Sequence, residues 1–577
     1  MLLAHVEVSN YRGIRFLALP IGPTTSLIGE NAYGKSNLLD ALLVCLGIGA
    51  VDGEFAFQPG DFRVCGESGL SPENSHEGEP CEPIEILLGF REHINGECEE
   101  DPECAALRPY VYPGKRGDRR ISFVVRAELG AAPATGSDGG RPITVKLRFL
   151  DADRRQLGPL PDRSIVTLLR HRVPFVMLKA DRYFVRPSRS PAEPTQAISG
   201  IVGGTSRPVD LEARLAAEVS EAFSKVSDMH RPIDERWVAR GLDAAERYLE
   251  RFGGERLKRR LGHFFSSRIA TTGGTGVSGG ARSIALLLIF GSLFDARAEK
   301  TFGKGARPVI AIEDAEAYLH PVILASVAAL IDAMPTQKLI TTNSGELLSL
   351  LPLHSLRRLV RRADRTDVYR LGRDTLSDDE LRRIGYHVRA IRGTSLFARC
   401  WLLVEGETEF WLLPELAAVA GHDFALEGVR LMEFAQCGVA PLIKLADDLG
   451  IAWHLIADGD QSGQGYANIA ASELRGRDAD EHITRIQQRD IEHLLWASGF
   501  ADVYRGAIPS AMPRRFDRRP RVENPTPTIE RAIRARSKPG MALEVAEAAQ
   551  RSGSPGVPQT LRHAIERAVE LARRVSN

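Results

Sequence analysis

The sequence predicts an α/β protein in two parts: a mixed sheet interrupted by a helical insertion, then a smaller parallel sheet. Three observations predict it. The run LIGENAYGKSNLLDAL (27–42) passes from a β-rich stretch through a glycine-rich turn into helical apolar spacing. The apolar run PVIAIED ends on two acids, Glu313 and Asp314. Two later apolar runs, CWLLVEGETEF and WHLIADGDQSG, also end on acids, as strand ends do in parallel β-α units.

Taken in order, AHVEVSNY and TTSLIG are short β-rich runs, and KSNLLDALLVCLG is a helix closed by glycine. IEILLGFRE, ISFVVRAEL and ITVKLRFLDAD continue the sheet, and GAAPATGSDGGRP (130–142) reads as a mobile hairpin loop. VPFVMLKADRYFV is a further strand. A Pro/Ser break at 186–196 precedes 209–265, which read as amphipathic helix and offer a surface for pairing subunits. A glycine-rich loop at 272–280, an apolar helix and the strands PVIAIED, QKLITT and DVYRLG follow. Composition changes at about 385–400, a new β-α series begins, and the tail from about 541 reads as two helices. The expected domains are 1–208 with 266–390, the insertion 209–265, and 391–577.

Lys plus Arg and Asp plus Glu each number 75, so no global field favours nucleic acid and any such contact must be local. The longest apolar stretch, SIALLLIFGSLF, is too short to cross a bilayer. The start, MLLAHVEVSNYRGI, reads as an edge strand and not a signal peptide. Seven cysteines, none in a CxxC pair, argue against a zinc site or a disulfide framework and for a reducing cytoplasm. Cys98 and Cys104 flank CEEDPEC, which reads as a solvated surface loop.

Gly29-Glu30-Asn31-Ala32-Tyr33-Gly34-Lys35-Ser36 matches GxxxxGK[ST] in its strand-to-helix setting. Such a turn closes backbone N–H groups on phosphate, with the helix N-terminus adding positive potential. Gly29, Asn31, Gly34, Lys35, Ser36 and Asn37 are the candidate nucleotide ligands. Lys35 reaches for the β/γ phosphates and Ser36 for Mg²⁺. Glu313 is assigned to the metal and Asp314 to activation of the attacking water. Ser278-Gly279-Gly280, a second glycine turn at a helix start, suits a second anion.

That set resembles the ABC ATPase class, whose signature loop meets the γ-phosphate held by the other subunit. The resemblance implies ATP as cofactor and a homodimer. It narrows at IEDAEAYLHP and LITTNSGELL, which are similar to segments of the OLD (overcoming lysogenization defect) family. Two departures stand out: Ala315 where proline is usual, and Asn343 where the switch histidine is usual. Asparagine hydrogen-bonds but carries no proton, which implies slow turnover or hydrolysis used as a switch. Within NYRGI, Arg12 lies near nucleotide or is a plain surface arginine. His320 of the Leu-His-Pro segment reads as structural.

In the second part, Glu405 ends one apolar strand, Glu409 follows by one helical turn, and Asp458 and Asp460 end another. Four acids at one sheet edge repel one another unless cations neutralise them, and oxygen ligands favour Mg²⁺ or Mn²⁺. A glutamate motif followed by DxD resembles the Toprim domain, a Rossmann-like parallel sheet. The order, ABC-type ATPase then Toprim, resembles the ATP-dependent endonucleases of the OLD family. The resemblance implies one or two ions on Glu405, Glu409, Asp458 and Asp460 for phosphodiester cleavage, with Glu492 as a further ligand candidate and Asp490 and His493 as weaker ones. It also implies that Lys538 neutralises charge on the reacting phosphate.

PRRFDRRPR (513–521) and ERLKRRLG (255–262) are basic segments suited to DNA phosphates or to plain solvation. An ATP-gated, metal-dependent endonuclease or nickase is the leading expectation. An ATP-dependent DNA-binding or sensor protein with an inactive Toprim domain is the alternative. No tyrosine domain or primase zinc motif supports a topoisomerase or primase.

Overall fold

The computed structural model describes residues 1–47, 54–63, 82–115, 117–130, 141–178, 184–185, 233–234, 305–317, 319, 321–334, 336–391, 393–509 and 524–576. The 209–265 insertion, Ser278-Gly279-Gly280, His320 and both basic segments lie outside the described residues, apart from a two-residue strand, Ile233–Asp234. The chain divides into two compact units. One is Met1–Leu351 with Asp364–Val368, and the other is Pro352–Ala363 with Tyr369–Asn577.

The first unit begins with β1 (Leu2–Tyr11), β2 (Ile14–Pro20) and β3 (Thr24–Ile28). In β1, Val6 and Val8 are buried and alternate with Glu7 and Ser9, the period of a strand with one covered face. β1 pairs antiparallel with β2 and with β4 (Ile84–Arg91). β4 continues antiparallel to β5 (Arg119–Leu129), which forms a hairpin with β6 (Ile143–Leu150). The tip of that hairpin, 131–140, is outside the described residues.

The half that carries the glycine turn is parallel. β3, β7 (Phe175–Leu178), β8 (Val309–Ile312) and β9 (Gln337–Thr341) run in the order β3-β9-β8-β7. All four residues of β7 and of β8 are buried, as expected of strands covered on both faces. The glycine turn leads into α1 (Lys35–Leu46), which buries Leu38, Leu39, Leu42, Cys45 and Leu46 at helical spacing.

The segment around Cys98 and Cys104 departs from expectation. Both cysteines are fully buried and the segment is helical, while Glu99, Glu100 and Glu103 between them stay exposed. Glu92 accepts from the N–H groups of Gly96 and Cys98 at 2.6 and 3.0 Å. The Arg108 guanidinium donates to the Cys98 carbonyl at 2.8 Å. Arg172 pairs with Asp101 at 2.6 Å, and Arg119 with Glu99 at 2.6 Å. Glu99 and Asp101 are thus held by arginines distant in sequence.

The second unit is a four-stranded, wholly parallel sheet: β10 (Cys400–Val404), β11 (Val429–Glu433), β12 (Ala452–Ala457) and β13 (Ile483–Arg485). Its order is β11-β10-β12-β13. The chain leaves β10 toward one edge, returns across it and continues toward the other. The strand order therefore reverses between β10 and β12, where open α/β sheets bind ligands. α2 (Glu407–Val419) packs on α3 (Lys538–Gln550) and α4 (Gln559–Ser576). Leu412, Leu416, Ala542, Val545, Leu561 and Ile565 share this core. A third helix, Thr526–Arg536, precedes the two expected in the tail. The α/β class stands as predicted: a mixed sheet with parallel strands behind the glycine turn, then a Rossmann-like parallel sheet.

Candidate nucleotide and acidic sites

In the first unit, Gly29 (φ 146°) and Gly34 (φ 91°) adopt left-handed-side backbone open to glycine. A Cβ on Gly34 would also lie 2.9 Å from Ile14 Cγ1, so its place is doubly restricted. Asn31–Tyr33 form a 3₁₀ turn, and Ser36 is exposed at the start of α1. Asn37 leans toward the β1–β2 turn, its Nδ2 lying 3.3 Å from where a Cβ on Gly13 would stand. Lys35 is 5% exposed. Its ammonium donates to the Gly29 carbonyl, to the Glu30 carbonyl at 3.4 Å and to Asn343 Oδ1 at 3.2 Å. Burial pulls its proton affinity down, against the negative charges of Asp314, Glu316 and Glu30.

Because β3, β9 and β8 are parallel neighbours, their ends bring the glycine turn, Asn343 and the acidic pair to one edge. Glu313 N–H closes on the Leu178 carbonyl at 2.9 Å. Asp314 sits at φ 44°, and its N–H donates to Thr341 Oγ1 at 2.8 Å. The sequence reading passed over Glu316. Its carboxylate accepts from the Thr342 hydroxyl and from Asn343 N–H, each at 2.7 Å. A third acid within EDAE was the available signal. Arg12 pairs with Asp40 and Asp61 at 2.6 and 2.8 Å, tying the β1–β2 turn to α1.

In the second unit, β10 delivers Glu405 and β12 delivers Asp458, side by side at the strand-order reversal. Glu405 Oε2 and Asp458 Oδ1 are both buried with no hydrogen-bond partner among the described residues. Burial, then the charge of Asp460, raises the proton affinity of Glu405, opposed by Lys538. Glu409, on α2, is pushed up to about 7 by burial and then by Glu492 and Glu405. Asp458 is pushed up to about 8 by burial and then by Glu409, Glu405, Asp490 and Glu492. These carboxylates form one electrostatic cluster.

The backbone at Gly459 and Gly463 leaves no space for a side chain. A Cβ on Gly459 would lie 2.2 Å from the Gln488 carbonyl oxygen, and one on Gly463 2.2 Å from that of Asp458. Asp460 caps the helix Gln461–Ser472 by accepting from Gly463 N–H at 2.7 Å. Glu492 is buried and accepts from the Thr408 hydroxyl at 2.9 Å. Lys538 Nζ lies 3.9 Å from Glu492 Oε1, placed there because α3 packs along α2. Asp490 caps the helix Ile491–Leu495 and pairs with His493, whose other ring nitrogen meets Thr526 Oγ1 at 2.9 Å.

The donor set suits a hard divalent cation: oxygen only, with two buried oxygens lacking partners. Glu405, Glu409, Asp458 and Asp460 would hold it. Yet among the described residues no three His, Cys, Asp or Glu side chains are drawn together as an ion's ligands. The acids are close enough to raise one another's proton affinity but do not form a ligand shell.

The chain belongs to the family described as "Protein of unknown function (DUF2813)", whose model matches residues 1–395. The model for the overcoming lysogenization defect protein-like TOPRIM domain matches residues 396–460, a span that includes Glu405, Glu409, Asp458 and Asp460. The chain is 35% identical over 603 residues to the uncharacterized protein YbjD of Escherichia coli K12, covering 99% of each. It is similar to the C-terminal region of the Burkholderia pseudomallei OLD protein (19% identity, 31% of this chain, 100% of that chain, TM-score 0.26). It is also similar to the SMC head domain from Thermotoga maritima (11% identity, 64% of this chain, 100% of that chain, TM-score 0.30). Among the described residues no helix is long and apolar enough to cross a membrane.

Proposed function

We propose that the protein is an ATP-regulated, divalent-metal-dependent DNA endonuclease or nickase. The observation that carries this reading is the pair of buried, unpartnered carboxylate oxygens on Glu405 and Asp458 at the strand-order reversal. An acid cluster of this kind is costly unless a cation neutralises it. Glu405, Glu409, Asp458 and Asp460, with Glu492 beside them, hold one or two Mg²⁺ or Mn²⁺ ions. Bound there, the ions supply activated water and neutralise charge on the leaving oxygen. Lys538, already beside this cluster, faces the negative charge of the reacting phosphate. Gly29, Gly34, Lys35 and Ser36 hold ATP with Mg²⁺, Glu313 assists the metal, and Asp314 orients the attacking water. Nucleotide binding pairs two copies through Ser278-Gly279-Gly280 and controls access of DNA to the acids.

The test is nicking of supercoiled plasmid by the full chain, with Mg²⁺ or Mn²⁺, with and without ATP. Wild type is expected to nick, and Glu405→Ala and Asp458→Ala to lose at least 100-fold of that activity, roughly the scale on which removal of a transition-state contact is felt. A doubly substituted chain as active as wild type sinks the assignment. The alternative is an ATP-dependent DNA-binding or sensor protein with an inactive acid site. ATPase and DNA binding without cleavage in any divalent cation would select it.

A further inference from the structure

We infer that Glu316 is a positioning residue for ATP hydrolysis: it fixes the β9 end so that Asn343 faces Lys35. The inference rests on the ATPase reading and adds a residue to it. The chain folds back after β8, with Ala317 N–H on the Asp314 carbonyl at 2.7 Å and Ala315 N–H on the Thr341 carbonyl at 3.2 Å. That fold-back brings the Glu316 carboxylate over the end of β9. One oxygen accepts from the Thr342 hydroxyl and the other from Asn343 N–H, each at 2.7 Å.

The Thr342 hydroxyl is held on its acceptor side as well. Thr342 is fully buried, and its oxygen accepts from Ser344 N–H at 3.0 Å, so its proton points to Glu316. Ser344 then caps the helix Gly345–Leu350 through Leu347 N–H at 3.2 Å. The three residues from Thr342 to Ser344 are thus held at both ends. The side chain of Asn343 between them accepts from Lys35 at 3.2 Å. A carboxylate taking two N–H or O–H donors makes shorter and stronger bonds than a neutral acceptor would. Asn343, which cannot shuttle a proton, can act only through its location, so what fixes that location controls its contribution.

The test uses the full chain, ATP, and single-turnover hydrolysis measured beside equilibrium ATP affinity. Glu316→Ala is expected to lower the hydrolysis rate roughly 10- to 100-fold while ATP affinity changes less than about 3-fold. Glu316→Gln keeps one acceptor for Asn343 N–H and recovers part of the rate. Asn343→Ala combined with Glu316→Ala is expected to be no slower than Asn343→Ala alone, the non-additivity of two residues acting through one contact. Unchanged hydrolysis in Glu316→Ala overturns the inference, as does strict additivity in the double variant. So does a parallel fall in ATP affinity and thermal stability with no recovery in Glu316→Gln, which marks a merely structural role. Wild type that fails to bind ATP removes the nucleotide reading itself, a different result from any of these.

Discussion

Glu405 and Asp458 follow adjacent parallel strands, and each buries one carboxylate oxygen that no group among the described residues satisfies. Such a pair is an unfavourable feature of the isolated chain. It becomes favourable when a positive ion arrives, and this difference makes the acid site measurable by stability as well as by catalysis.

Asp458 and Glu409 keep their protons to about 8 and about 7 in the fold, whereas an unfolded chain releases them near 4. Folding therefore takes up protons between those values, and the cation-free protein loses stability as pH rises from about 4 toward about 8. Mn²⁺ added at pH 8 is expected to raise the melting temperature of this unit. Asp458→Asn is expected to raise it without metal, by roughly 2–4 °C or more, and to abolish the Mn²⁺ effect. Differential scanning calorimetry at pH 5.5 and pH 8 reads both. An Mn²⁺ shift that survives in Asp458→Asn speaks against the site.

Lys35 donates to two loop carbonyls and to Asn343, all from a buried position. Lys35→Ala is expected to weaken binding of a fluorescent ATP analogue about 10- to 100-fold, the scale of a lost charge-assisted contact. Retained affinity would place nucleotide elsewhere.

His454, on β12, is fully buried. Its Nδ1–H donates to the Glu481 carbonyl, and its Nε2 accepts from the Thr484 hydroxyl, each at 2.9 Å. Burial pulls it down to about 4, and the hydrogen bond to Glu481 only partly offsets that. Its folded value lies below its unfolded one, so its contribution is complete above about 6.5 and is lost as pH falls toward 4. The size is on the order of 3 kcal/mol. In His454→Leu, the slope of unfolding free energy against pH in that window is expected to shrink by about one proton. An unchanged slope means that another group governs acid unfolding.

Gly459 stands between the two acids of DGD with the carbonyls of Gln488 and Ile486 where a side chain would begin, at 2.2 and 2.7 Å. Gly459→Ala must push backbone apart and is expected to cost about 1–3 kcal/mol in urea unfolding, with loss of divalent-cation binding. Wild-type stability in this variant would show that the loop relaxes freely.

The parts legible in the sequence were those whose chemistry is written locally. The glycine turn of 29–36 and the acid-terminated strands announce themselves because phosphate and cations demand those residue types at those offsets. Glu316 escaped because its partners, Thr342 and Asn343, lie 26 and 27 positions away, just past the end of another strand. The burial of Cys98 and Cys104 escaped for a similar reason. Their segment is acidic, but Arg119 and Arg172 hold it, and no local pattern records such pairs. Gly459 was read as part of an acidic motif, whereas its fit beneath the 486–488 backbone is visible only in three dimensions. Lys538 came from family resemblance, and the packing of α3 on α2 supplies the physical reason for its place.

The most direct measurement is Mn²⁺ binding by electron paramagnetic resonance on nucleotide-free full chain, compared with Glu405→Ala combined with Asp458→Ala. One or two bound ions in wild type, absent from the double variant while its fold is retained, is the expected result. Equal binding in both chains would contradict an ion held by these carboxylates.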